Sequence, residues 1–567
     1  MRCVTPASSG TDPTATTVTT VYRNAKVFTA DPDRPWSPAF AVKDGRVLVV
    51  GCDEEVLATA TDVADAATAA GAEGSEVAEI DLGGALVIPG VIDAHFHLLH
   101  TGSSLERVDL VRATSLEEIQ GAVRGHAQAH PKAHWVLGKS WLFDAVPGEP
   151  NAAMLDAVES HRPVLLDAND FHSTWINSVA IEALGITDST PDPSGGRIAR
   201  DENGHATGFL EENAVDIAWD HLDRVTTDEQ HRHELRKAIE ALNAVGVTSV
   251  IDMGLNATAL ETIAHAEAEG WLDLRVIAHW LISRQGPTAE HLARVSEAAN
   301  FARAHSSDRF RVTGIKVVID GVIDGCTAHV SDPYTNGTLP DPIWSYDDLV
   351  PVVAAADKEG LQVALHAIGD AAVRNALDAI ENAYRENGGD PTARRHRIEH
   401  IEYCDPSDIP RFAKLNVTAS MQPVHADPAI QDNWRAMLGP ERSPLGFPAA
   451  ALLASGARVV FGTDSPTAPY APLPNLFIAT TRRSALSPDL PPNGPSNAVP
   501  IEAALTYATA HAAWSCFADD RLGAIAPGKH ADFVVVDPDV TASDPERLLD
   551  AAVLQTVVGG HTVYRQG

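Results

Sequence analysis

Two hydrophobic rhythms divide this chain. Towards both ends, apolar and polar residues alternate over short runs, the period-two pattern of half-buried β-strands. VTTVYRNAKVFT, AFAVKDGRVLVVG and EVAEIDLGG carry it between residues 18 and 84, with Asp44-Gly45 as a hairpin turn. HADFVVVD and LQTVVGGHTVYRQ carry it again between residues 530 and 566. This shared character predicts one small composite β-sandwich built from both termini, residues 18–85 and 500–567. The Ala-rich stretch 53–74 reads as a helix or a loose excursion from it.

The middle follows another rhythm, in which wholly apolar runs alternate with stretches of helical spacing. That is the pattern of βαβ units and a parallel sheet. Candidate strands cover residues 87–95, 247–252, 274–280, 312–319, 362–366, 397–401, 416–421 and 459–464. Candidate helices include 228–245, 287–305, 345–359 and 371–387. Eight strands close a TIM-like (β/α)8 barrel, predicted over residues 86–499. From His97 to Val247 there is far more chain than one crossover needs. It carries strand-like runs of its own, HWVLGKSW and PVLLDAND, then FHSTWINSVAI and GHATGFLEENA. An inserted subdomain, about residues 100–245, is therefore expected after the first barrel strand, roofing the face where barrel chemistry occurs.

Composition narrows the class without naming it. The 567 residues are 44% hydrophobic and 21% charged, as in ordinary globular proteins. No apolar run is long enough to cross a bilayer. Residues 1–17 are small and polar, which predicts a disordered tail and not a secretory signal. Five scattered cysteines (Cys3, Cys52, Cys326, Cys404, Cys516) with no Cys-x-x-Cys suit reduced thiols in a cytoplasmic protein. A net charge of −35 argues against nucleic acid and anionic membranes as partners. It fits a high-salt cytoplasm and a plain acidic surface equally.

The chemistry gathers where apolar strands end. In LVIPGVIDAHFHLL, alternation puts Asp93, His95 and His97 on one face. Lys316 lies within GIKVVIDG, His366 closes LQVALH, His400 lies in HRIEH, and Asp464 closes RVVFGTD. Imidazoles suit zinc and a carboxylate completes its shell. Lys316 fits such a site once carbon dioxide carbamylates its amine, giving an anionic bridge between two metals; otherwise it pairs with Asp320 or Asp324. Glu399 falls on the opposite face of its strand from His400 and reads as structural, and Glu402 falls where strand gives way to loop. Asp93 either supports a ligand histidine or caps the strand end.

IPGVIDAHFH, Lys316, His366, His400 and GTDSP together resemble the metal-dependent amidohydrolase superfamily, and RLGAIAPGKHADFVVVD resembles its return into the small β-domain. GIKVVIDGVIDGCTAHVSDPY, HSTWINSVA, ATGFLEENA and HRIEH are similar to its amidohydrolase-3 branch, which includes N-substituted formamide deformylases. The resemblance implies one or two zinc ions on His95, His97, Lys316, His366, His400 and Asp464. It also implies hydrolysis of a non-peptide carbon–nitrogen bond, amide or N-formyl, in a small molecule. Asp464 would deprotonate the attacking water, and His366 or His400 would carry oxyanion charge. The expected enzyme is cytoplasmic and takes a small amide; the sequence allows a homodimer.

Two other readings stay open. Ring deaminases of this scaffold carry His-x-x-Glu after strand five, whereas this chain has Gly369, with Asp370 next to it. A metal-binding scaffold without turnover is the other, and the intact Asp464 speaks against it. Trp141, Phe171, His172, Trp175, Asn177 and Glu212 either line a substrate pocket or form the insertion's own core. Tyr334 is a further candidate substrate contact, while His100, His396 and His425 read mostly as packed or solvated imidazoles.

Overall fold

A computed structural model describes residues 18–70, 76–169, 171–193 and 195–567; the predicted tail 1–17 lies outside them. Its centre is a parallel sheet of eight strands in chain order: Val91–Phe96, Val247–Leu255, Arg275–Leu281, Phe310–Val318, Gln362–Ala367, Arg397–His400, Thr418–Met421 and Val459–Phe461. These are the eight predicted positions. Most of their residues are buried, as strands covered on both faces require. The sheet curls until its outer strands meet. There Asp464 N–H donates to His95 O at 2.8 Å and His97 N–H to Ser465 O at 3.1 Å. The Asp93 carboxylate adds to this seam, accepting from Thr463 N–H at 3.0 Å and from its hydroxyl at 2.6 Å.

Helices between strands start on side chains that accept an otherwise unpaired backbone N–H. Thr227 does so for Asp228–Ala244 and Ser345 for Tyr346–Lys358. The short helix Ala510–Ser515 closes the end of the barrel where the strands begin. Its Ala512 and Ala513 pack with Ile92, Ile251, Ile277 and Val460.

The predicted strand 87–95 is in fact two. Leu86–Pro89 belongs to a six-stranded sheet, paired with Lys26–Phe28 and with Phe533–Asp537. The break falls at Gly90, where a Cβ would lie 2.2 Å from the Thr248 hydroxyl. Tight packing there leaves room for glycine alone, and the chain passes from one sheet to the other.

Facing the six-stranded sheet is a four-stranded one made of Arg46–Gly51, Ala39–Lys43, Val18–Arg23 and Glu76–Asp81. Tyr22 and Phe40 stack at 4.9 Å, and each meets Phe533 edge-on at 5.0 Å. Aromatic burial thus ties the two chain ends together. The Ala-rich stretch is the helix Asp53–Ala69, which buries Val56 and Ala60 against the four-stranded sheet.

Between the first two barrel strands lies another six-stranded sheet, formed by Val108–Asp109, Val136–Trp141, Val164–Ala168, Ser173–Ile176, Gly196–Arg200 and Ala206–Glu212. Trp141 and Trp175 are fully buried in its own core with Phe209 and Leu166.

Replacing Phe533 with Ala removes the ring that joins the two terminal sheets. It should cost about 3–5 kcal/mol, read as a lowered denaturation midpoint; an unchanged midpoint would mean that the two ends are not held by this contact.

Candidate metal centre

The rim where the strands end concentrates histidines on one carboxylate. His95, at the end of the first strand, is fully buried, and its Nε2 lies 3.3 Å from Asp464 Oδ1. His97, which opens the helix Leu98–Ser104, brings its Nε2 to 3.1 Å from the same oxygen. Two ligands each about 2.1 Å from a tetrahedral zinc stand about 3.4 Å apart. The spacing therefore fits a shared cation. On the other side of Asp464, Oδ2 lies 3.8 Å from His400 Nδ1 and 3.6 Å from His425 Nε2. Asp464 Oδ1 and His400 Nδ1 are both buried without a hydrogen-bond partner. Buried polar atoms are normally satisfied, so this pair of orphans points to a cation as the missing partner.

The electrostatics agree. Burial works to raise the Asp464 pKa, but His95, His97 and His400 outweigh it and hold the carboxyl well below its usual range. Burial, with Lys316 adding to it, pushes His95 down to about 4. His366 and His400 are also driven well below the ordinary imidazole value, chiefly by burial. Neutral imidazoles around an ionised carboxylate are the protonation states a divalent cation needs.

Glu399 corrects a sequence expectation. It faces the site, where its Oε2 lies 2.7 Å from His95 Nδ1. Arg397 holds it through Nε at 2.6 Å and Nη2 at 3.0 Å, and also donates to Ala94 O at 2.6 Å. Simple alternation fails because the strand ends in left-handed backbone, φ 76° at His400 and 53° at Ile401. That twist turns His400 inward while Glu399 already points there. A carboxylate on Nδ1 leaves Nε2 of His95 as the free lone pair, the usual support behind a metal-binding histidine.

The same device recurs where sequence reading saw little. Glu402 Oε1 lies 3.1 Å from His425 Nδ1, and Trp434 Nε1–H donates to Glu402 Oε2 at 2.9 Å. His425 sits in the turn Pro423–Ala426, just beyond the seventh strand. The signal available was one of position: an imidazole on the loop after a barrel strand, and an acid two residues after His400.

Lys316 is buried with its Nζ 3.3 Å from His95 Nε2, and burial lowers its pKa. Asp320 does not serve as its partner. It accepts instead from the backbone N–H groups of His329, Ile368 and Gly369 at 2.9–3.0 Å, lacing the loops after the fourth and fifth strands together. His366 lies at the margin: its ring is 4.4 Å from that of His400, and its Nε2 is 3.4 Å from Gly321 O. Asp93 fastens the seam described above.

Of the residues offered as substrate contacts, His172 and Glu212 reach the site. They pair at 2.7 Å, and the His172 ring is 5.4 Å from that of His366. Trp141 and Trp175 do not, since their indole N–H groups donate to Leu166 O and Asn151 O inside the insertion. Asn177 caps the helix Ser178–Ala183, and Tyr334 is buried with its hydroxyl donating to Ala328 O. His396 is packed away against Asp357. An open cleft is lined by His97 together with His100, Arg107, Phe171 and Trp219.

A histidine-and-carboxylate centre of this kind, at the strand ends of an eight-stranded parallel sheet, defines a metal-dependent hydrolase. The profile of the Amidohydrolase family matches residues 78–564, and the chain belongs to that family. It is 30% identical to Protein LONG AFTER FAR-RED 3 of Arabidopsis thaliana, over 98% of this chain and 93% of that one. It is 26% identical to the N-substituted formamide deformylase of Arthrobacter pascens, over 96% and 98% respectively. A crystal structure of an uncharacterized metal-dependent hydrolase from Pyrococcus furiosus superposes with a TM-score of 0.70 at 28% identity, covering 92% of this chain and all of that one.

The buried imidazoles set a pH dependence. His95 is held at about 4, and His100, His279 and His396 at about 3, mainly by burial. Unfolding returns each to about 6.5, so between those values the unfolded chain binds more protons and stability rises with pH. Burial also raises Asp93, Asp216 and Asp320 to about 7, which opposes this trend over the same window. Metal-free protein should therefore lose melting temperature as pH falls from 6.5 towards 4 only by the excess of the imidazoles over these carboxyls. A flat calorimetric profile over that window would contradict these assignments.

Proposed function

We propose that this protein hydrolyses an amide or N-formyl bond of a small molecule, with zinc as the natural metal. The observation that carries the reading is Asp464, ionised, buried, placed between histidine pairs and 3.1 Å from His97, which lines the cleft. His95, His97 and Asp464 would hold a divalent cation, which would supply Lewis acidity and lower the pKa of the attacking water to about 7. Asp464 takes the proton of that water and passes it to the leaving nitrogen, which departs as an amine. His366, in ring contact with both His400 and His172, is assigned to the carbonyl oxygen as charge develops there. The His172–Glu212 pair and the cleft walls then choose the acyl group and the amine. The N-substituted formamide deformylase among the relatives supports the N-formyl variant.

Burial of Lys316 favours its neutral amine, and we propose that it is carbamylated. The nitrogen bonds to the carbon of carbon dioxide and releases one proton, leaving an anionic carboxylate next to His95. We further read the sheet of residues 108–212 as an inserted subdomain over the site, and the terminal sheets as the composite sandwich. A reducing, cytoplasmic setting agrees with Cys52, Cys326, Cys404 and Cys516, all of which are free thiols. No helix among the described residues is long and apolar enough to cross a membrane.

Deamination of a ring is the weaker reading, for a steric reason. The position that would carry the glutamate is Gly369, where a Cβ would stand 2.1 Å from His329 O. Asp370 is occupied too, accepting from Ser331 N–H at 2.9 Å at the start of the helix Asp370–Asn387.

Zinc-loaded protein should hydrolyse members of a panel of N-formyl amines, N-acyl amines and cyclic amides, and leave ring amidines untouched. Turnover confined to ring amidines would reverse the assignment. Asp464→Asn should lower kcat by about 10²–10⁴-fold on any substrate found; near-normal turnover would remove Asp464 from the proton path.

A further inference from the structure

Between the ends of strands seven and eight and the helix Pro472–Thr481 lies a small cavity lined by Gln422, Phe447, Phe461, Arg482 and Asn497. None of these residues lines the cleft beside His97. The cavity has room for about one water-sized group.

Arg482 is its unusual member. It ends the helix in left-handed backbone, φ 59°, and only 3% of its surface is exposed. Its Nε donates to Asn493 O at 2.7 Å, and the guanidinium lies 5.7 Å from the centre of the Phe447 ring. Among the described residues no carboxylate stands within ion-pairing distance of it, whereas Arg275 and Arg397 are each buried against an acid. Burial lowers the Arg482 pKa to about 10, which leaves the group cationic at neutral pH.

Gln422 adds a second open position. It directly follows strand seven, is buried, and neither its Nε2 nor its Oε1 has a hydrogen-bond partner. A buried amide and a buried cation each cost free energy when left uncompensated, and here both meet in one small space. We propose that this cavity binds one small monovalent anion, a halide such as chloride, held by the Arg482 guanidinium and the Nε2–H of Gln422. Charge favours an anion over a water, because water would satisfy the amide and leave the cation unneutralised. Size favours a halide over sulfate, phosphate or a carboxylate, each of which carries several heavy atoms.

The site is joined to its surroundings through the same residues. Asn493, which accepts from Arg482 Nε–H, also donates to Ala426 O at 3.1 Å, and Gln422 O accepts from His425 N–H at 3.0 Å. An ion between Arg482 and Gln422 thus ties the loop 483–497 to the turn Pro423–Ala426.

Crystals of the full-length protein grown in sodium bromide test this by anomalous scattering at the bromine edge. Wild type should show a bromide peak in contact with Arg482 and Gln422. Melting temperature gives a second readout, with chloride replacing gluconate (an anion too large for the cavity) at constant ionic strength. Wild type should be stabilised as chloride rises, in the saturable manner of a bound ligand. Arg482→Met should abolish both the peak and the response, and Gln422→Leu should weaken the chloride midpoint about tenfold. Circular dichroism establishes that each variant is folded; Gln422→Leu carries the comparison if Arg482→Met is not, and the wild-type peak needs neither. A water in place of bromide, or a chloride response equal in wild type and variants, overturns the site and leaves the hydrolase reading standing.

Discussion

A carboxylate stripped of water must be compensated, and this molecule is arranged around one such group. Asp464 sits at the seam where the last barrel strand meets the first, and its own backbone N–H helps to fasten that seam. The contacts that close the sheet are therefore also contacts of the site. The residue that joins strand eight to strand one is also the residue on which four imidazoles converge. Desolvation strengthens every charge interaction at that point and raises the cost of leaving any of them incomplete.

Behind the histidines stands a ring of acids that meet the site only through another residue. Glu399 is clamped by Arg397 to the backbone of the first strand, so the orientation of His95 depends on contacts between strands far apart in sequence. Glu402 depends on Trp434, which comes from a helix beyond the seventh strand. Asp320 works differently: it holds the loops after the fourth and fifth strands by three backbone N–H groups. Rigid placement of this kind is what pre-organised hydrolysis needs.

The eight strands were legible because most are largely apolar runs with polar side chains at or near their ends, although local sequence did not show that the first run is divided between two sheets. His95, His97 and Asp464 were legible for the same reason. Glu399 was misplaced because alternation was extended into backbone that had already turned left-handed. His425 was passed over because a loop has no periodicity, and its role exists only once Glu402 and Asp464 flank it. Trp141 and Trp175 show the reverse error. Large aromatics in an insertion fill its own core first, and sequence alone does not distinguish that duty from lining a pocket.

Gly369 has a consequence for how this lineage can change. The missing Cβ is filled by the carbonyl of His329, on a loop that Asp320 holds in place. No single codon change can install an acid there while that loop stays where it is. A descendant drifting towards ring deamination would have to move the loop first, and would pass through intermediates with a loosened mouth and no new activity to reward them. The backbone around Gly369 thus sets a steric limit on which side chains the end of the fifth strand can carry.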